Sequence, residues 1–282
     1  MGQKTHPFLF KLHSKNFEWN SKYIENNSEE ASFLFSKDLE IRSYISRILF
    51  LYGFILVECK MEYSVSKLHI FISFYDRIFH SISTNPKLNN NSYLNFEVSR
   101  KKLIINIINQ IFIITFSTYK VEFKCIKLIF KNLNKRLESN IVINKKSKVE
   151  YQQLVKNIII NFEFKELIKV VSIVVIEKNS AILLAKIITL YIKKIQKRKK
   201  HNFLFLNLNK ILSVLINSKL SNINGLKILV SGRLNGFPRS KEMFLSVGSI
   251  PLQSFNSKID YYNDISYTVY GTIGVKVWIF EK

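Results

Sequence analysis

The last fifth of the chain, residues 225–282, holds six of its eight glycines, and none occurs between Gly53 and Gly225. Glycine serves where a backbone needs positive φ or close approach to another strand. The segment is therefore predicted to be a run of short strands and tight turns, and the middle of the chain to be built otherwise. Leu226, Ile228 and Val230 alternate with Lys227, Leu229 and Ser231, the period of a half-buried strand. Val275, Val277 and Ile279 alternate with Lys276, Trp278 and Phe280 in the same way. Gly271 and Gly274 bracket a predicted turn after Tyr270. Taken alone, this pattern fits an ordinary meander equally well.

Charge narrows the partners. Lys and Arg number 43 against 20 Asp and Glu, a net charge of +23. Such an excess fits a polyanion, nucleic acid above all, although a membrane-surface protein can also be basic. Cys59 and Cys125 are far apart and the five histidines lack zinc spacing, so no metal or cofactor is expected and the thiols are expected to be reduced. The chain has no nucleophile elbow, no phosphate-binding glycine loop, no HExxH and no carboxylate pair at suggestive spacing, so it is not expected to be an enzyme. Asp260 and Asp264 are assigned to a turn.

The residues of the closing segment carry a resemblance. SGRLNG, IPLQ, IDY and YGTIGVKVWIF follow one another in the order and at about the spacing seen in the C-terminal domain of the small-subunit ribosomal protein S3 family, over about sixty residues. MGQKTHP at the other end is similar to the start of the same family. The resemblance implies an α+β protein: an N-terminal divergent type II KH-like domain, then a C-terminal α/β domain with helices on a mostly antiparallel sheet. It implies a structural constituent of the small subunit, with rRNA, mRNA and neighbouring head proteins as partners and no membrane.

Along the chain, residues 1–37 form a basic arm with interspersed aromatics. It is either a loose solvated extension or, as the resemblance implies, an RNA contact through Lys4, His6, Lys11 and Lys15. Residues 38–178 are assigned to the KH-like domain. Ser36 or Asp38 caps a helix through Ile41, Ile45, Ile48, Leu49 and Tyr52, which Gly53 stops. Strands follow at Phe54–Lys60 and Lys67–Phe74. FYDRIFHSISTNPKLNNN stands where a GxxG loop belongs and has no glycine, so no such grip is assigned. Residues 76–165 exceed a KH domain and are read as an insertion. Within it, Leu103–Phe116 is a buried helix or strand, and Lys124, Lys127, Lys131 and Lys135 would form one stripe on a helix. Leu167–Ile176 is β-branched and is predicted to be the third KH strand.

Residues 179–282 are the C-terminal domain. Asn179 or Ser180 caps a helix whose inner face is Ile182, Ala185, Ile188 and Ile192. It runs into the densest charge of the chain, KKIQKRKK, comprising Lys193, Lys194, Lys197, Arg198, Lys199 and Lys200. The resemblance places this run at the mRNA entry channel, while the next helix keeps only Lys210 of the family's basic residues there. Arg233, Arg239 and Lys241 form a basic loop group beside a strand end. The Ile- and Asn-rich composition resembles the bias of an organellar genome, and the N-terminus has no import signal or apolar leader. The expected location is a mitochondrial ribosome, with a plastid ribosome as the alternative. The competing function is a stand-alone organellar RNA-binding or RNA-processing protein.

Overall fold

The computed structural model describes residues 5–10, 19–25, 27, 29–64, 67–77, 105–107, 109–110, 113, 125–133, 165–176, 180–194, 200–217, 221–237 and 239–281. The chain forms two compact units, Glu18–Ser139 and Met1–Phe17 with Asn140–Lys282. Both mix helices with sheet, so the fold class is α+β. No helix among the described residues is long and apolar enough to cross a membrane.

In the unit Glu18–Ser139 a four-stranded sheet has the order β1 (Ser21–Lys22), β2 (Phe54–Tyr63), β3 (Lys67–Asp76), β4 (Cys125–Asn132). β2 and β3 are antiparallel, whereas β1 with β2 and β3 with β4 are parallel. One long helix, Glu30–Leu51, covers this sheet; Ile41, Ile45 and Leu49, one turn apart, are its buried stripe. Gly53 ends it at φ 76, as the sequence predicts.

Two expectations change here. The helix begins at Glu30, so Ser36 and Asp38 lie inside it and neither caps it. Asp38 is buried instead and accepts bonds from Arg42 Nε (3.0 Å) and the Ser21 hydroxyl (2.6 Å). Arg42 also donates to the Asn20 and Cys59 carbonyls, which pins β1 and β2 to the helix. Cys125–Asn132 is a strand, so Lys127 and Lys131 lie on one side of a sheet rather than along a helix, and Lys124 and Lys135 lie outside the described residues. Of Leu103–Phe116, residues 105–107 are helical and Ile107 joins the core. The FYDRIFHSISTNPKLNNN segment falls outside the described residues after Arg77.

The second unit carries an antiparallel sheet of order β6 (Lys241–Gly248), β5 (Ile223–Gly232), β8 (Gly271–Glu281), β7 (Ile259–Thr268). Leu226, Ile228, Val230, Val275, Val277 and Ile279 are fully buried beneath the helices, as their alternation requires. Each such side chain contributes about 1.5–3 kcal/mol of burial. Gly271 (φ 120) closes the β7–β8 turn, but Gly274 lies inside β8 opposite Ser231 and brackets no turn.

Among the described residues three helices of this unit follow the four-residue α1 (Pro7–Phe10): α3 (Lys165–Ile176), α4 (Ala181–Lys194) and α5 (Lys200–Asn217), with α2 being the helix Glu30–Leu51 described above. α3 is the segment predicted to be a strand. It packs against both α4 and α5, and Leu167, Ile168, Val170, Val171, Ile173, Val174 and Val175 are all buried. A helix buried on nearly every side has the same apolar run as a buried strand, and burial outweighs the few tenths of a kcal/mol that each β-branched residue costs a helix. α4 lies on β7 and β8. The Ser180 hydroxyl accepts from the Leu183 N–H (3.4 Å), as expected of a cap, and Asp260 Oδ2 accepts from the Ala181 N–H (2.7 Å). Asp264 accepts from the Thr189 hydroxyl at 2.9 Å. Both aspartates thus sit within β7 and fasten the helix to the sheet, rather than shaping a turn.

Candidate nucleic-acid interface

The basic residues of the second unit are organised by α5. Lys193 and Lys194 end α4, exposed, where cations favour the helix dipole. Lys197, Arg198 and Lys199 lie outside the described residues, as do Lys4, Lys11 and Lys15. Lys200 then opens α5.

The residue after it, His201, is buried and joined to the loop that follows β5. The His201 N–H donates to Asn235 Oδ1 (3.1 Å), and the Asn235 N–H donates back to His201 Nδ1 (2.9 Å). Asn235 Nδ2 also donates to Asn202 Oδ1 (2.8 Å). One asparagine side chain therefore satisfies an orphan donor at the helix start and ties that start to the sheet. Asn235 adopts φ 55, a left-handed conformation asparagine tolerates better than most residues. It lies in a short 3₁₀ turn, Leu234–Gly236.

The same turn displays the loop group. Arg233 Nε donates to the Phe237 carbonyl (2.8 Å), and Lys241 Nζ stands 4.4 Å from the centre of the Phe237 ring. Lys241 pairs with Gly232 at the sheet end, so it flanks Arg233. Arg233, Arg239 and Lys241 are all exposed. The clamp therefore brings the turn beside Arg233 to the first turn of α5, which Lys200 opens, with Lys241 flanking Arg233 at the strand end. Lys210 is exposed on α5 ten residues beyond Lys200, about 15 Å along the helix, and is not part of that group. His6 lies elsewhere: its ring meets Tyr261 edge-on at 4.7 Å.

Sequence reading missed His201 and Asn235. The available signal was an asparagine before glycine in RLNG, a left-handed turn pair, but nothing in the chain said which donor it would meet. Among the described residues no cluster of His, Cys, Asp or Glu could hold a metal ion.

Known proteins share the sequence of the C-terminal part of this unit. Residues 208–279 match the family described as ribosomal protein S3, C-terminal domain. The chain is similar to the small ribosomal subunit protein uS3c of Euglena gracilis, 38% identical over 69 residues, covering 24% of this chain and 32% of that protein. It is 46% identical over 61 residues to uS3c of Trieres chinensis, 22% and 28% of the two chains. To uS3c of Physcomitrium patens it is 42% identical over 64 residues, 23% and 29%. The matched stretch spans under a third of the length of these relatives. Their names carry the plastid suffix, which overturns the mitochondrial expectation; composition bias and divergence do not separate one organelle from another. Residues 208–279 thus carry the C-terminal domain of the ribosomal protein S3 family.

Proposed function

We propose that this chain is a structural constituent of a plastid small ribosomal subunit, that it binds rRNA in the head, and that its basic surface helps form the mRNA entry. The observation that carries this reading is the His201–Asn235 clamp. It holds the turn beside Arg233 against the first turn of α5, which Lys200 opens, within a unit whose residues 208–279 match the S3 domain. Such a surface supplies phosphate neutralisation and positioning, which carry no sequence preference of their own. The plastid names of the relatives support the location.

In this reading Lys4, Lys11 and Lys15 of the arm and Lys210 of α5 add peripheral phosphate contacts, and neighbouring head proteins are the other partners. The division into an arm (1–37), a KH-like domain with insertion (38–178) and an S3 domain (179–282) belongs to the same proposal. The order of α2, β2 and β3, with a parallel third strand, supports a KH-like relationship for the first unit.

Sedimentation tests the proposal. At moderate salt the tagged protein travels with the small subunit. Recovery chiefly as free protein or with membranes overturns the reading. For purified protein on small-subunit rRNA, log affinity falls linearly with log salt. Neutralising Arg239 and Lys241 together makes that slope shallower by roughly 0.7–0.9 for each phosphate no longer neutralised.

A further inference from the structure

The face of the second sheet turned away from α4 carries a row of rings and cations that the function above does not use. The ladder sets Lys227 of β5 opposite Trp278 of β8, and Trp278 opposite Tyr261 of β7. Phe244 of β6 pairs with Leu229, two residues along from Lys227 on the same face. Lys227 Nζ stands 4.7 Å from the Phe244 ring centre and 5.4 Å from that of Trp278. Trp278 and Tyr261 rings are 5.2 Å apart, and His6 closes the row against Tyr261.

The two ends of the row differ. At the β7 end the arm covers it: His6 stacks with Phe8, Phe10 stacks on Phe255 at 4.3 Å, and Tyr261 is buried. At the β6 end Phe244 stays 57% exposed, with the Lys227 ammonium over its ring. Lys276 stands on the same face, opposite Leu229 and Asn263. Glu242 is the acidic residue on the β6 strand of this face, at the far end beside Ser231. An exposed phenylalanine costs solubility unless something covers it, and the two lysines favour an anionic occupant.

We propose that the open half of this face, Phe244 with Lys227 and Trp278, is a stacking platform for an unpaired RNA base, with Lys227 and Lys276 meeting the flanking phosphates. A ring on a sheet surface stacks any base through its π-face, and a cation beside it meets the adjoining backbone. The proposal rests on the RNA-binding reading above and assigns a single-stranded ligand to a surface separate from the clamp.

The test uses the full-length chain and two labelled RNAs, an oligouridylate of about 12 nucleotides and a blunt duplex, with affinity read by anisotropy across a salt series. Phe244→Ala is expected to weaken the single strand about tenfold, leaving the duplex affinity and both salt slopes unchanged. Phe244→Tyr, which keeps a ring, is expected to bind as the parent does. Thermal unfolding of each variant separates a folding loss from a binding loss. If the duplex binds and Phe244→Ala leaves the oligouridylate affinity unchanged, the platform is overturned and the RNA-binding reading stands. If neither RNA binds, both fall. A cross-link from position 244 to a protein rather than to RNA in the assembled subunit also overturns the platform.

Discussion

His201 and Asn235 exchange two hydrogen bonds, each backbone N–H donating to the other's side chain. The pair joins the first turn of α5 to the loop after β5, across 34 positions of sequence. Both residues are buried.

Asn235→Gly keeps the left-handed backbone accessible and removes only the side-chain partner. It leaves the buried His201 N–H without its acceptor, so a loss of about 1–3 kcal/mol is expected in urea unfolding. Asn235→Ala should cost more, because alanine also resists φ 55. Equal stabilities for Asn235→Gly and the parent would show that the clamp contributes nothing.

Arg42 and Asp38 form the corresponding fastening of the first unit. The Asp38 side chain is 7% exposed and the Arg42 side chain 22%. Arg42→Ala strands a buried carboxylate and removes donors to the Asn20 and Cys59 carbonyls. A loss of about 3–5 kcal/mol is expected, whereas replacing both partners by apolar residues should cost much less. A double-mutant cycle on denaturant midpoints measures the difference.

Gly248 pairs with Gly225 where β6 leaves the sheet. It has φ 77, and an added Cβ would meet the Asn224 carbonyl oxygen. Gly248→Ala should therefore destabilise by at least about 1 kcal/mol. Gly271→Ala, which has a positive φ but open space around its Cβ, should cost less. Reversal of that order in a thermal melt would sink the close-packing account.

Burial pushes the Cys59 thiol up to about 11 from 9.0, with Arg42 opposing the rise and Asp38 adding to it. The folded state then keeps a proton that the unfolded chain releases, so stability should fall as pH rises from about 9 toward 11. Cys59→Ala should show a shallower decline over that window. Burial raises the Tyr63 hydroxyl too, with the same sign, and the neighbouring Cys59 adds to that rise, so Cys59→Ala removes the thiol's own contribution and part of Tyr63's. Parallel curves would refute the assignment to Cys59.

Strands β5 and β8 and the helix through Ile41, Ile45 and Leu49 with its stop at Gly53, though not the helix start at Glu30, were legible in the sequence, because local period and a glycine requirement are properties of consecutive residues. The family signature was legible for the same reason. Residues 167–176 were not: eight of their positions are buried, and a run apolar at nearly every position has no period to separate a helix from a strand. The basic stripe of residues 124–135 was misread because spacings of three and four suit a helix, while its parallel neighbour β3 supplies the partners that make it a strand.

The chain by itself determined the charge, the alternation of the closing strands and the glycines that permit their turns. Only the tertiary structure decided which distant groups meet: Asn235 with His201, Asp260 with the start of α4, Lys227 between two rings. The physical reason is range. Backbone period and steric permission act over a few neighbouring residues, whereas a buried donor is satisfied by whatever acceptor the packed core carries to it, however far away along the chain.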